Sequence, residues 1–340
     1  MFEAKSKARS LGWAVVGCGQ VVRDFVIPAL QGASNARLVA LCDASAEALM
    51  RAPANGVSRY TALGSALADK DVQAVYIATP NALHAAMTEA CAAAGKHVLC
   101  ETPMALTPRD GLRMVAACQR AGVHYATAFD QRHHVAYRRL RTLVKEGALG
   151  TITQARIHSA CWLPEDPAPD DWRLDPEQAG GGAMFNLAPH GLDLLEVVLG
   201  DEWASLMALT QRRVHGYSVD DGAVLVGQLK SGALGVLQVA YNCPDTYPRR
   251  TLEIIGTKAR ALASRTPGVP LFLTDARTGQ ETRIILPPEE DSSPCLHQLE
   301  AFSACVLEGR PQPYAPERDV RLMGLLTQAT RGGRAFPPCH

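Results

Sequence analysis

Gly17-Cys18-Gly19 is the first place in the chain where residue type and spacing could do chemistry. The tripeptide follows the apolar run Leu11–Val16 and precedes a helical pattern. Two glycines at such a turn let the backbone approach a pyrophosphate, which rests on the free N–H groups of the helix start, here Gln20 and Val21. Val22 stands where the third glycine of G-x-G-x-x-G belongs, so an ordinary strand–helix turn is the alternative reading of this motif alone. Asp43 closes the second apolar run, 26 residues after Gly17. A carboxylate there can accept hydrogen bonds from both adenine-ribose hydroxyls; the alternative is a loop aspartate capping a helix that begins at Ser45. Ala44 and Ser45 offer no arginine to a 2′-phosphate, so the loop and the acid together predict NAD, with NADP less favoured.

The elements that must position these residues come in two textures. Up to about residue 128, apolar runs alternate with helical stretches: Arg37–Cys42, Val72–Ala78, His97–Cys100 and His124–Ala128 read as strands. Helices are expected over Val21–Gln31, Ser45–Met50, His84–Ala94 and Pro108–Ala121. That alternation predicts an α/β fold, a doubly wound parallel sheet with helices on both faces, over residues 1–128. From residue 129 to 340 the pattern changes. Ile152–Trp162, Ala204–Val214, Ala223–Leu229, Ala233–Tyr241 and Arg250–Ile255 read as consecutive strands, with a hairpin turn at Lys230-Ser231-Gly232. Helices over Glu300–Leu307 and Glu317–Ala329 close an α+β domain with an open antiparallel sheet. Leu163–Pro176 is the one long loop, a place where specificity is often carried.

Composition narrows the class. With 34 basic and 34 acidic residues the chain is neutral, which gives no electrostatic footprint for nucleic acid or an anionic membrane. No apolar run reaches the roughly 18 residues a membrane span needs. Met1–Ser10 is polar and basic, so no secretory leader is expected. The ten cysteines are scattered without a C-x-x-C pair, which predicts buried thiols in a reducing cytoplasm rather than a zinc site. Adjacent His133 and His134 would point apart on a helix, so no metal is expected there. Asp220-Asp221 reads as a turn before a strand.

Thr79-Pro80-Asn81-Ala82-Leu83-His84, followed by Gly95-Lys96-His97-Val98-Leu99-Cys100-Glu101-Thr102-Pro103, resembles the glucose–fructose oxidoreductase/inositol dehydrogenase/MocA family, whose pattern is T-P-N-x-x-H and then G-K-H-V-x-x-E-K-P. Trp172-Arg173-Leu174-Asp175-Pro176, Gly180-Gly181-Gly182 and His190-x-x-Asp193 are similar to a second family block, and Gly309-Arg310-Pro311 with Gly333-Arg334-Ala335-Phe336 to its tail. The resemblance spans about residues 11 to 337. It implies a nicotinamide-binding Rossmann domain, a sheet domain carrying substrate contacts, and a homodimer or homotetramer built on that sheet. Carried over by position, Gly17, Gly19 and Asp43 hold pyrophosphate and ribose. Thr79, Pro80, Asn81, His84 and Glu101 line the nicotinamide half, joined by Arg132, whose bottom-up alternative is a solvated helix face shared with Arg138, Arg139 and Arg141. Trp172 and Arg173 face the substrate, with a core plug as the alternative for Trp172.

The chain departs from the pattern where the family does its proton chemistry. The lysine of E-K-P is Thr102, the aspartate four residues before the histidine is Asn186, and His190 alone remains. Thr102 keeps a hydroxyl and Asn186 can orient an imidazole, but neither carries charge. Pro189 beside His190 is a first-turn proline or a kink, and in the latter case Asn186 and His190 need not share a face. The resulting expectation is a dehydrogenase acting on a hydroxyl of a carbohydrate-like small molecule, with His190, Thr102 and Asn186 as its catalytic residues. The alternative is a nucleotide- or sugar-sensing protein of the same fold.

Overall fold

An unbroken apolar strand such as Leu11–Val16 is buried on both faces only inside a helix-covered sheet, and all six of its residues are buried there. The computed structural model describes residues 9–163, 171–244, 246, 250–266, 268–286 and 293–332. Residues 164–170 of the long loop, the Gly333–Phe336 part of the tail, Cys339 and residues 1–8 lie outside them.

The first sheet contains β1 (Leu11–Val16), β2 (Ala36–Cys42), β3 (Ser58–Tyr60), β4 (Ala74–Ile77), β5 (His97–Cys100) and β6 (Tyr125–Thr127), all parallel, in the order β3-β2-β1-β4-β5-β6. Its strand order reverses beside β1, which puts the binding crevice at the carboxyl ends of β1 and β4. Between the strands run α1 (Ile27–Gly32), α2 (Ala46–Arg51), α3 (Leu63–Ala68), α4 (His84–Ala93) and α5 (Pro108–Ala121). The chain enters α1 through a π turn over Val22–Val26, with the Ile27 N–H donating to the Val22 carbonyl. Pro28 has no N–H to give the preceding turn, which accounts for the widening.

The second sheet has eight strands: β7 (Ile152–Ala160), β8 (Trp203–Gln211), β9 (Gly222–Leu229), β10 (Leu234–Ala240), β11 (Arg250–Gly256), β12 (Ala259–Ser264), β13 (Leu271–Asp275) and β14 (Glu281–Ile284). Their order is β14-β13-β12-β11-β7-β10-β9-β8. Two antiparallel meanders flank β7, which runs antiparallel to β11 but parallel to β10. The expected antiparallel sheet is therefore mixed. The parallel pair joins segments about 80 residues apart, beyond the reach of hairpin signals. One face is covered by α6 (Val135–Lys145), α8 (Ala183–Leu199) and α10 (Pro316–Gly332), the short α7 (Pro176–Ala179) leading into α8.

The boundary at residue 128 divides the chain in sequence but not fully in space. Helix α9 (Pro294–Glu308) returns to the first domain, where Leu299 and Phe302 join its core. Trp13 lies 5.3 Å from Phe302 between ring centroids and donates from Nε1 to Ser303 Oγ at 3.1 Å, which satisfies a fully buried indole N–H. From α10, Val320 and Met323 pack into the first domain while Leu322 and Leu326 pack into the second.

A buried ionic cluster locks the two domains. Asp193 of α8 accepts from Arg132 Nε at 2.8 Å and Nη2 at 2.6 Å, and is bonded to Arg318 of α10. Arg132 also lies 3.5 Å from Asp319, and Glu196, one turn after Asp193, binds Arg318 and Arg321. Burial pushes the Asp193 carboxyl up, but the two guanidinium groups outweigh it and hold it below its ordinary value. Arg132 is thus neither on a solvated face nor directed at a cofactor: its guanidinium is spent on carboxylates, between the rings of Phe129 and Tyr314. Arg138 and Arg141 do lie exposed. Replacing Asp193 by alanine would strand two buried arginines, at a cost of about 3–5 kcal/mol. Urea unfolding should show that loss for Asp193→Ala, and a much smaller one for exposed Arg113→Ala.

Candidate active site at the domain junction

The glycine loop is built by close approach. Gly17 sits at φ +91°, and a Cβ there would lie 2.4 Å from the carbonyl oxygen of Ala78. Only glycine fits this position. Gly19 has the opposite surroundings, with nothing within 4 Å of a Cβ, and with Gln20 and Val21 it is exposed at the helix start. Asp43 closes the loop against both of its neighbours, and the cap of α2 is Ser45 and not Asp43. Its Oδ2 accepts from the Cys18 N–H at 2.7 Å and its Oδ1 from the Ser45 N–H at 2.8 Å, while Ser45 Oγ caps α2. Each carboxylate oxygen keeps a second lone pair for a ribose hydroxyl. Arg23, which the motif does not mark, reaches back to donate to the Cys18 carbonyl at 2.9 Å and brings a cation to the loop. An open cradle of N–H groups with an acid at its rim fits a dinucleotide.

The T-P-N-x-x-H segment and the loop after β5 are tied together from below. His84 has no exposed surface; its Nδ1 faces the Pro103 carbonyl at 2.9 Å and its Nε2 the Thr79 carbonyl at 3.0 Å. It holds two loops in register and does not itself line the nicotinamide half. Asn81 is also buried and donates to the Ala179 carbonyl at 2.9 Å, anchoring this edge to the second domain. Thr79 and Pro80 stay half-buried at the rim.

At the end of β5, Glu101 and Thr102 point their polar groups in different directions. Tyr76 of β4 donates to Glu101 Oε1 at 2.5 Å, and the Thr102 N–H donates to Glu101 Oε2 at 3.2 Å. Burial raises the Glu101 carboxyl to about 7, with the charge of Asp130 adding to the rise, against Tyr76, Thr102 and Arg173, which favour the charged form. Thr102 Oγ1 lies 2.9 Å from His190 Nε2, across the junction between the domains.

Helix α8 carries His190, and three features set its position. Gly191 faces the sheet, where a Cβ would meet Leu237 Cδ2 at 2.7 Å. The helix start is capped from outside by Asp220, whose carboxylate accepts from the Gly182 and Met184 N–H groups, each at 2.8 Å. A Cβ on Gly182 would lie 1.9 Å from the Asp220 carbonyl oxygen, which explains the glycine in the triplet. Asp220 is therefore a cap and not simply a turn residue. Pro189 lies inside a continuous helix, so Asn186 and His190 share a face. Asn186 nevertheless hydrogen-bonds the buried Tyr241 hydroxyl. His190 Nδ1 is buried, and among the described residues no partner reaches it. The expected orientation of the imidazole by Asn186 is not made, because Tyr241 takes the amide. Burial also holds the His190 imidazole below its ordinary pKa. Trp172 is half-exposed and stacks under Arg173, with the guanidinium carbon 4.8 Å from the ring centroid. It is not a core plug.

His134 accepts from the Ala136 N–H and caps α6, while burial and Arg132 lower His133 to about 4. Among the described residues no cluster of ligating side chains suits a metal, and no helix is long and apolar enough to cross a membrane. Seven of the nine described cysteines are buried, and none of the nine is in a disulfide.

Two family models match the chain: the oxidoreductase family with an NAD-binding Rossmann fold over residues 11–129, and the GFO/IDH/MocA C-terminal domain over residues 137–262. The chain is similar to 1,5-anhydro-D-fructose reductase of Ensifer adhaerens, 32% identical over 90% of this chain and 91% of that one. It is also similar to myo-inositol 2-dehydrogenase of Thermotoga maritima, 30% identical over 77% and 78% of the two chains. The crystal structure of GenD2 from gentamicin A biosynthesis, in complex with NAD, superposes with a TM-score of 0.84 at 26% identity, covering 97% of this chain and 96% of that one. A glycine cradle, a domain junction closed around a histidine, and family matches on both sides of that junction agree: the chain belongs to the GFO/IDH/MocA family of oxidoreductases.

Proposed function

We propose that this chain is an NAD-dependent dehydrogenase that acts on a hydroxyl, or the matching carbonyl, of a sugar, cyclitol or related polyol. The observation that carries the reading is the 2.9 Å contact between Thr102 Oγ1 and His190 Nε2. It joins the carboxyl end of β5 to the helix of the second domain, at the mouth of the crevice where such sheets bind ligands. NAD bound on the glycine loop supplies the acceptor for a hydride. Thr102 Oγ1 positions the reacting hydroxyl, and His190 takes its proton. Arg173 and Trp172 present a cation and an apolar face, a combination that suits a polyol ring. The similarity to two chains named as a reductase and a dehydrogenase supports catalysis over sensing.

The cofactor preference rests on Asp43, whose charge repels a 2′-phosphate. Titration against tryptophan fluorescence should show tighter binding of NAD than of NADP, and Asp43→Ala should narrow the gap; equal affinities in the parent chain would refute the preference.

His190→Ala should abolish turnover while leaving NAD affinity nearly unchanged, because the ring belongs to the second domain. Thr102→Lys combined with Asn186→Asp should restore the charged family constellation and raise polyol oxidation by on the order of 10²-fold. A double variant that binds NAD normally and oxidises nothing across a polyol panel would move the sensing reading ahead.

The outer face of the second sheet supports a homodimer or homotetramer. Met207, Leu209, Val224, Val226 and Leu234 are 40–67% exposed on adjacent strands β8, β9 and β10. Such a patch in water favours association. Light scattering at micromolar concentration should find a dimer or larger, and Met207→Glu with Val226→Glu should shift it toward monomer.

A further inference from the structure

Arg250 opens β11, and Arg265 follows Ser264, the last residue of β12. The two strands are antiparallel, in a register that pairs Thr251 with Ser264. Arg250 therefore stands opposite Arg265, whose N–H donates to the Arg250 carbonyl at 3.0 Å. Leu252 and Ile254 on β11, and Ala261 and Ala263 on β12, are buried against the helices. Period-two alternation puts both arginines at the end of those inward rows. That end of the sheet is where β7 and β10 finish, with Arg250 paired to Ser159, and just beyond β10 lies Tyr241, which holds Asn186. Two arginines directly opposite on one face concentrate positive charge at the substrate end of the sheet.

Arg265 is the member of the pair with unused capacity. Its side chain is only 19% exposed, yet its guanidinium makes no hydrogen bond to a described residue. Among the described residues, the one carboxylate within 4 Å is Asp130, with Oδ2 3.8 Å from Nη2, too far for a hydrogen bond. Asp130 lies in the turn after β6, so this loose contact spans the crevice between the domains. The charges reach the site: beyond the burial that lowers His190, Asp130 favours its charged form, and Arg265 and Arg250 oppose it. Arg173, the other cation of the cleft, is already partnered, with Nη1 donating to Asp171 Oδ1 at 3.4 Å. A mostly buried guanidinium with five donors and no acceptor is costly unless something binds it. Its planar fork matches a carboxylate bidentately. Asp130 close by stands against a second negative charge, which favours a monoanion over a phosphate dianion.

We propose that Arg265 binds a carboxylate of the substrate, so that the substrate class is a sugar acid, aldonic or uronic, rather than a neutral sugar or polyol. The inference deepens the dehydrogenase reading and rests on it for the place of the reacting hydroxyl, beside Thr102 and His190. The carboxylate accepts from the fork and is chemically unchanged. Only the hydroxyl proton and the hydride move in the reaction.

Calorimetric titration of the full-length chain with NADH present, so that no oxidation runs, tests the class directly. The pairs are D-gluconate against D-glucitol, D-galactonate against galactitol, D-glucuronate against D-glucose, and D-galacturonate against D-galactose. At least one acid should bind about tenfold or more tightly than its neutral counterpart. Arg265→Ala should reduce that preference to about threefold or less. Arg265→Lys, which keeps the charge and loses the fork, should retain part of it and guards against a folding defect in the alanine variant. In turnover with NAD, Arg265→Ala should raise KM for the acid by about tenfold, with a smaller fall in kcat. Neutral compounds that bind as tightly as the acids, or a full acid preference in Arg265→Ala, would overturn the proposal. So would tighter binding of glucose 6-phosphate than of every acid, or no binding by any of these compounds. If an acid binds with the Arg265-dependent preference and NAD oxidises none of them, the dehydrogenase reading fails and the carboxylate site stands.

Discussion

Asp193 is the carboxylate on which the site's geometry hangs. It is buried, yet charged, because Arg132 and Arg318 reach it from two other parts of the chain. An unpaired charge in that position would cost several kcal/mol, so α8 has one depth and one rotation at which the cluster closes. His190 lies one turn earlier on the same helix, and that rotation presents its Nε2 to Thr102. Because Arg132 follows β6 and Arg318 begins α10, the helix is registered against the parallel sheet and against the tail in one step. The contact between Thr102 and His190 is therefore a consequence of domain docking and exists only when both domains are folded.

The same logic of close approach recurs at the ends of α8 and β1. Gly17 lets the loop rest on the Ala78 carbonyl, and Gly182 lets the Asp220 backbone press against the start of α8. At α8 the absent side chain brings a polar group to a helix N-terminus, where unsatisfied N–H groups need an acceptor. At α8 the acceptor is the chain's own Asp220. At the glycine loop Gly19, Gln20 and Val21 are exposed, and a Cβ on Gly19 would meet nothing within 4 Å.

Much of the first domain was legible in the sequence because its information is local. A strand buried on both faces reads as an apolar run, and Gly17, Gly95 and Gly122 mark turns through the left-handed backbone only glycine adopts freely. The spaced motifs contain Thr102 and His190, which the fold brings within 2.9 Å of each other across the junction. The partners that decide what these residues do were not legible. Nothing in the order of residues shows that Tyr241 takes the amide of Asn186, that His84 sits beneath the loops, or that Arg132 answers Asp193 across 61 positions. The parallel pairing of β7 with β10 and the return of α9 to the first domain are likewise decided by contacts between distant segments. The outer strands β12 to β14 escaped because their alternation of small, charged and apolar residues is weak.

The two departures from the family pattern are electrostatically consistent with each other. A lysine at position 102 would stand beside Glu101, and a cation so close favours the charged carboxylate strongly. Threonine removes that cation, and Glu101 is left with burial and Asp130 raising it against hydrogen bonds from Tyr76 and Thr102 and the more weakly acting Arg173. An aspartate at position 186 would add an anion near Tyr241 and on the face of His190; asparagine removes it, and Tyr241 holds the amide instead. One positive and one negative charge are lost together, so the site stays balanced. What changes is the surroundings of the carboxyl one residue earlier in the chain: no ammonium group at position 102 stands beside it, and burial with Asp130 holds it above its ordinary value.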